Sequence, residues 1–449
     1  MRVHFHTFGC KANQYDTEHM RQAAQARGAM VADSPAGADT CVVNTCTVTN
    51  QADAEARRFI RKLRRHRPGI RIVVAGCSAA LKASEYRAMA GVVGVVEGHD
   101  PESVASAALG PELVQLTVNK SLDRLDYEPV GGRLLTERRG KARGWLKVQD
   151  GCDRKCAFCA TRLARGKSRS RQPAEVVREA RMLARIHAEL VVTGVHIGHY
   201  GRDLDPQGSL SSLVERLLTE VPDVRFRLGS IEATEVDDRL IELLASSNGG
   251  LAPHLHMPLQ SGSDSVLRSM RRWHTRDAYR RRALEIAERL PVLGLGADII
   301  AGFPGEDPTD HESTLKLVEE IPFTYLHVFP YSPRDGTVAV DLPNPVPQRV
   351  AGERARELRE LGVRKGERYR AARAGQPAVA VLEGASGMAL TEDYLRVRTS
   401  CPPGDDGRDR ESRLRRGTLR LRPDGLYIVE AVTRPAPIAM EQPGLLQQI

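Results

Sequence analysis

Six of the chain's eight cysteines fall into two groups of three. Cys152, Cys156 and Cys159 form a compact C-x3-C-x2-C run, whereas Cys10, Cys46 and Cys77 are scattered. Three thiolates can hold a metal centre and leave one coordination position open. Zinc usually takes four protein ligands with paired cysteine spacing, which the compact run lacks. It suits instead three irons of a four-iron cluster whose fourth iron is open to a ligand. Phe158, just before the last cysteine, would shield such a centre and contact what binds there. Two open centres in one chain point to joint chemistry.

The scattered cysteines need a scaffold to bring them together. Each follows an apolar, strand-like stretch: His6-Thr-Phe-Gly before Cys10, Val43-Asn-Thr before Cys46, Val74-Ala-Gly before Cys77. Strand patterns at residues 3–8, 40–44, 70–75 and 92–97 alternate with helical ones at 16–27, 52–66 and 102–109. That alternation predicts a doubly wound parallel sheet over residues 1–118. Ligands bind at the C-terminal strand ends of such sheets, so the three sulfurs should converge on one edge. For each cysteine singly, a buried structural role is the competing reading. The shared position favours a site. Cys41 lies within a strand and reads as core, and Cys401 stands outside both groups.

A charged linker spans 119–143. From 144 to 373 the alternation resumes, with strands predicted at 145–149, 190–193, 224–229, 254–257, 296–301 and 325–329. The helix over 174–187 carries a clean apolar stripe of Val176, Val177, Ala180, Leu183 and Ala184. Six such units predict a partial (β/α)6 barrel with its chemistry at the strand C-termini, where the compact run also sits. A charged helix over 348–373 leads out. Short strands at 378–382, 395–399, 418–421 and 426–430 predict a small all-β barrel over 375–433, of a kind that binds nucleic acid. The loop 402–411 reads as exposed and mobile, and 434–449 as a tail.

Hydrophobic residues make up 41% of 449, enough for real cores. No apolar run is long enough for a membrane span, and the N-terminus lacks a secretory signal's apolar core. A cytoplasmic protein is expected, where cysteines serve as ligands or catalysts more often than as disulfides. The net charge is +9. Basic clusters lie at 57–67, 162–171, 271–282 and 413–422. One such cluster is ordinarily a solvated face; four in a basic chain favour a polyanionic partner, nucleic acid above all.

The run Gly151-Cys-Asp-Arg-Lys-Cys-Ala-Phe-Cys, followed by Ala164-Arg-Gly, resembles the radical S-adenosylmethionine methylthiotransferase family. Thr7-Phe-Gly-Cys-Lys-Ala-Asn-Gln-Tyr-Asp and Asn44-Thr-Cys-Thr-Val-Thr are similar to that family's N-terminal domain. Thr193-Gly-Val-His-Ile-Gly, Pro258-Leu-Gln-Ser-Gly-Ser-Asp, Gly302-Phe-Pro-Gly-Glu and Tyr331-Ser-Pro-Arg-Asp-Gly-Thr are similar to its barrel. The last segment resembles its TRAM module loosely. Lys11, directly after Cys10, resembles the branch acting on N6-threonylcarbamoyladenosine at tRNA position 37; the isopentenyladenosine branch more often has Gln there and the ribosomal-protein branch Pro. Two features depart from the pattern: Cys159 is followed by Ala-Thr-Arg162 where an aliphatic stretch and a proline are usual, and the C-terminal module is divergent.

The resemblance implies two [4Fe-4S] clusters and S-adenosyl-L-methionine. The compact triad would bind that cosubstrate and generate a 5′-deoxyadenosyl radical; the scattered triad would carry the sulfur, methylated by a second S-adenosylmethionine. Thr193 and Gly194 would contact the methionine part, and Ser230 and Glu232 the ribose. A barrel-mouth structural carboxylate is the plainer role for Glu232. The implied partners are a tRNA anticodon loop, a low-potential electron donor and iron–sulfur assembly proteins, with no membrane. Competing readings are the same chemistry on isopentenyladenosine-37 or on an aspartate of a ribosomal protein, and a non-catalytic, zinc-dependent RNA-binding protein.

Overall fold

The computed structural model describes residues 1–47, 49–110, 134–136, 142–383, 387–399 and 413–430. Most of the expected linker, Cys401, the loop 402–411 and the tail lie outside the described residues. The N-terminal part is a five-stranded parallel sheet in the order Met30–Val31, Arg2–Thr7, Thr40–Thr45, Arg71–Gly76, Val92–Val95. Its chain order, 2-1-3-4-5, places the topological switch between the first and third strands, where such sheets bind ligands. The edge strand Met30–Val31 escapes sequence reading because two residues carry no periodicity. Val42, Val73 and Ala75 pack with Val104 and Ala108 on one face, and Cys41, Val43, Ile72 and Val74 with Ile60 and Leu63 on the other. Sheets buried on both faces read as continuous apolar runs, which is why these strands were legible. Cys41 is fully buried there, and burial pushes its thiol up to about 12.

The central part has six parallel strands in two half-sheets. Arg143–Lys147, Glu189–Thr193 and Arg225–Leu228 form one; His254–His256, Gly294–Ala301 and Tyr325–Pro330 form the other. A bridge between Ser230 and His256 joins them. Among the described residues the first and last strands do not pair, so the barrel is open along that side. All six strands were expected from the sequence, and so was the helix Gln348–Arg373.

The C-terminal part is a closed five-stranded barrel of Pro377–Leu382, Met388–Thr391, Arg396–Thr399, Gly425–Glu430 and Leu414–Arg422. It sits at the strand-start end of the central barrel. There Arg225 Nη1 donates to the Val379 carbonyl at 2.8 Å, and Arg227 donates to those of Glu392 and Thr391 at 2.9 and 2.8 Å. Both arginines are buried on Glu189 at 2.7 and 2.9 Å. Burial alone would raise the Glu189 carboxyl, but the two guanidiniums hold it at about 2.

Two buried histidines make the fold acid-sensitive. Burial, reinforced by nearby arginines, pushes His19 down to about 3 and His274 to about 4. Both stay neutral in the folded chain while the unfolded chain protonates them near the ordinary value of about 6.5. Stability is therefore full above pH 6.5 and falls on acidification, by about 1.4 kcal/mol per pH unit for each histidine until its folded value is reached. Urea unfolding of protein with equal iron content is expected to lose about 3 kcal/mol between pH 6.5 and 5. An unchanged midpoint would remove this contribution.

Candidate metal centres and the seam between them

Each scattered cysteine sits where a strand of the N-terminal sheet ends. Cys10 is the N-cap of helix Lys11–Ala26, Cys46 follows Thr40–Thr45, and Cys77 opens the short helix Cys77–Leu81. The helix after Cys10 begins earlier than the expected residue 16. Gly9 has φ of 100° and Gly76 of 96°, values that a side chain strains to reach. A Cβ on Gly9 would lie 2.5 Å from Cys46 Sγ, so the first two cysteine loops touch. Asn13 ties in the third. Its Nδ2 donates to the Phe8 and Thr45 carbonyls at 2.9 and 2.8 Å, and its Oδ1 lies 3.7 Å from Cys77 Sγ. His99 Nε2 is 3.5 Å from the same sulfur. Burial pushes the Cys77 thiol up to about 11, with Arg165 opposing. A thiol that resists ionising alone, among convergent thiols, suits a metal that displaces its proton.

The compact triad lies on the loop between strand Gln149–Asp150 and helix Thr161–Arg165. Each sulfur has a partner. Cys152 Sγ is 3.5 Å from His196 Nδ1; Arg272 Nη1 donates to Cys156 Sγ at 3.6 Å; the Thr161 amide donates to Cys159 Sγ at 3.4 Å. Burial pushes Cys152 up to about 12 and raises Cys156, where Arg272 opposes it. Outer partners of this kind orient thiolate ligands and tune the metal they hold. Both donor sets fit iron–sulfur clusters.

Thr193 ends its strand, and Gly194 packs on Gln149. The Gln149 side chain accepts from the Val195 and His196 amides at 3.1 and 2.8 Å and donates to the Gly151 carbonyl at 2.7 Å. It thereby joins the second strand's end to the cysteine loop. Ser230 is exposed. Glu232 pairs with Arg272, so its carboxylate is linked to Cys156 through that guanidinium. Phe158 lines a cavity of about 150 Å³ together with Cys159, Thr49, Asp298, Ile300 and Arg334. Thr49 belongs to the loop just after Cys46, so the space is lined by Cys159 itself and by a chain neighbour of Cys46. Cys159 and Cys46 are both electrostatic neighbours of Arg334.

A buried ionic network locks the two halves together beside the cavity. Arg165 donates to Asp150 Oδ1 at 2.9 Å, Asn13 Oδ1 at 2.6 Å and Asp16 Oδ2 at 2.8 Å. Lys147 bonds Asp16 at 2.7 Å and Asp150 at 2.6 Å. Asn13 and Asp16 come from the motif after Cys10, and Arg165 from the one after Cys159. Beside them Arg171, Glu179 and Tyr15 form a second buried cluster.

These arginines correct one sequence expectation. Arg165, Arg171 and Arg272 belong to clusters read as polyanion-binding, yet they are buried in ion pairs. The remaining basic faces fit the expectation better. Arg58, Arg61, Lys62, Arg64 and Arg65 line one surface groove, and Arg416, Arg420 and Arg422 are exposed on the C-terminal barrel. Sequence reading also missed His99, His196 and Arg272 as sulfur partners. Only His196 had a signal, its place in Thr193-Gly-Val-His after a strand.

Residues 146–318 match the Radical SAM superfamily, and residues 2–98 match a family described as Uncharacterized protein family UPF0004. The chain is 35% identical to the threonylcarbamoyladenosine tRNA methylthiotransferase MtaB of Rickettsia prowazekii, over 89% of this chain and 91% of that protein. It is 37% identical to the Bacillus subtilis protein of the same name, over 82% and 81%. A tRNA-2-methylthio-N(6)-dimethylallyladenosine synthase of Geobacillus kaustophilus is 31% identical, over 86% and 73%. Among solved structures, a radical S-adenosylmethionine methyltransferase, TsrM, from Kitasatospora setae shares the fold at 16% identity. Its TM-score is 0.51, over 74% of this chain and 76% of that one. Two cysteine triads at one seam, within a chain so similar to these enzymes over most of its length, identify it: the chain belongs to the radical S-adenosylmethionine methylthiotransferase family.

Proposed function

We propose that this protein transfers a methylthio group to C2 of N6-threonylcarbamoyladenosine at position 37 of tRNA. The observation that supports this reading is the seam: Cys159 of the compact triad and Thr49, three residues after Cys46, line one cavity, and Arg334 neighbours a cysteine of each triad. The names of the relatives with 35–37% identity give the substrate class. In this reading Cys152, Cys156 and Cys159 hold one [4Fe-4S] cluster and Cys10, Cys46 and Cys77 the other. With S-adenosylmethionine bound, these cofactors supply radical chemistry and a sulfur carrier, which the adenine C2–H needs because it is neither acidic nor electrophilic.

The protein's own part is positioning. Gln149 fixes the second strand's end against the Cys152 loop, Arg272 couples Cys156 to Glu232, and Phe158 closes the cavity wall. Thr193, Gly194 and Ser230 would contact the cosubstrate, while Glu232 acts through Arg272. The network on Arg165 keeps the two triads at a fixed separation. A base from a single-stranded anticodon loop is splayed into such a pocket cheaply, and the exposed basic faces track phosphate with salt-dependent affinity. A low-potential reductant and cluster-assembly proteins are required partners, and a cytoplasmic setting follows from the tRNA substrate. No helix among the described residues is long and apolar enough to cross a membrane.

Mass spectrometry of tRNA nucleosides from a strain lacking the gene tests the reading. The methylthio form of threonylcarbamoyladenosine is expected to vanish while its unmethylthiolated precursor accumulates. Loss of the isopentenyl form instead would move the protein to the other tRNA branch, and unchanged tRNA would redirect attention to a protein substrate. Anaerobically purified protein is expected to carry about eight irons per chain; zinc in their place would sink the radical assignment altogether.

A further inference from the structure

The helix Asn50–His66 carries six lysines and arginines between Arg57 and Arg65. Ile60 and Leu63 pack on the sheet, while Arg58, Arg61, Lys62 and Arg65 are exposed. Their spacing of three and four residues sets them in one row along the helix. Arg57 pairs with Glu85 at 3.5 Å; among the described residues the other five are in no ion pair within 4 Å. The helix's own two carboxylates are engaged elsewhere, Asp53 with Lys82 at 3.5 Å and Glu55 with Gln51 at 2.9 Å. The helix dipole accounts for Arg64 and Arg65 in the last turn, but not for Arg58 and Arg61 in the middle. Such a row is ordinarily a solvated face. What sets this one apart is where its helix begins.

The helix begins at the cavity beside Cys159. Its N-cap Thr49 lines that space, and Asn50 Nδ2 donates to the Pro333 carbonyl at 2.5 Å. Lys82 bridges Asp53 in the first turn and Asp335 of the central part, at 3.5 and 3.4 Å. The start is therefore tied to the rim. The strands before and after it, Thr40–Thr45 and Arg71–Gly76, are parallel, so the helix returns from the cysteine edge of the sheet to the far edge. Arg58 stands about 14 Å along the axis from Thr49 and Arg65 about 24 Å, at about 1.5 Å per residue. There the row faces a groove of about 910 Å³ whose other wall is Ala88, Met89 and Ala90.

We propose that this row seats the anticodon stem, gripping the phosphates of a tRNA whose loop nucleotide occupies the cavity. The inference rests on the function proposed above and adds the face that holds the RNA. A span of about 14–24 Å equals about four to seven stacked nucleotides at about 3.4 Å each. That carries the strand out of the loop and into the stem that closes it. Guanidiniums without an internal partner meet phosphate without first breaking an ion pair. The opposite wall offers small and apolar side chains, so the stem is held by shape and charge and its bases are not read. An acidic protein would match the same charges, but only a ligand that also enters the cavity makes use of the helix's fixed start.

The test measures dissociation constants of iron-loaded enzyme between about 50 and 200 mM salt. Two RNAs are compared, an anticodon stem-loop and its loop as a linear strand without the stem. The native enzyme is expected to bind the stem-loop at least about tenfold more tightly at the low-salt end. R58Q/R61Q/R65Q is expected to bind both RNAs alike, with a salt slope on the stem-loop shallower by about three, about one per cation. R58K/R61K/R65K keeps the point charges and is expected to keep most of the slope. R61Q alone is expected to lose about one, and it gives the reading if the triple variant loads iron poorly.

Unchanged stem dependence and slope in the glutamine variants overturn the assignment and leave the face to an acidic protein. Equal weakening on both RNAs also overturns it, because that marks a contact to the loop. So does stem dependence lost in R416Q/R420Q/R422Q but kept in R58Q/R61Q/R65Q, which seats the stem on the C-terminal barrel. Failure of the function itself looks different. Native enzyme would then bind neither RNA, or tRNA from the strain lacking the gene would keep its methylthio nucleoside while the stem dependence stood.

Discussion

Cys152→Ala is expected to halve the iron, from about eight to about four per chain, and to abolish reductive cleavage of S-adenosylmethionine. Cys46→Ala is expected to halve the iron as well, yet to leave that cleavage running while methylthio transfer stops. The asymmetry follows from where the sulfurs sit. The compact triad has its own loop, with Arg272, His196 and Thr161 as partners from the barrel. The scattered triad is assembled by the N-terminal sheet and Asn13. Removing one ligand costs more than removing an outer partner, which typically costs about 10–100-fold, so each lost step should fall by more than roughly a hundredfold. Two measurements on each variant, 5′-deoxyadenosine release and methylthio-nucleoside formation, decide the matter. If Cys46→Ala also stops cleavage, the triads are not separable and the division of labour is wrong.

Arg165→Ala is expected to destabilise the protein by about 3–5 kcal/mol, the usual cost of breaking one partner out of a buried charge network. Asp16 and Asp150 would be left with Lys147 alone, deep between the two halves. The loss should show first in the N-terminal sheet, as lower iron on the scattered triad and earlier proteolytic cutting there. Arg165→Lys keeps the charge but not the fork that spans Asp150, Asn13 and Asp16, so it should recover only part of the stability. A midpoint for Arg165→Ala within about 0.5 kcal/mol of the native value, the range of ordinary surface substitutions, would show that the network contributes no net stability.

These two residue sets also mark what the sequence could and could not disclose. Cysteine positions at strand ends were legible because they depend on local pattern: an apolar run, a glycine, a sulfur. The six barrel strands and the long helix Gln348–Arg373 were legible for the same reason. Arg165, Arg171 and Arg272 were not. In sequence they lie within basic runs that look like a solvated face, and only the tertiary fold supplies Asp16, Glu179 and Glu232 as their partners. The strand Met388–Thr391 was missed because its four residues follow a turn-rich stretch with little alternation.

The seat of the C-terminal barrel has a consequence for how RNA is measured. Arg225 and Arg227 hold that module at the starts of the central strands, while the cysteine loops stand at their ends. Glu189–Thr193 has five residues, so the two levels are roughly 17 Å apart at about 3.3 Å per residue. That is the rise of about five stacked nucleotides. An RNA held at both levels would have to span that distance, and the lower contact would then act as a ruler. It would set which nucleotide arrives at the mouth by counting along the strand, independently of the chemistry that awaits it there.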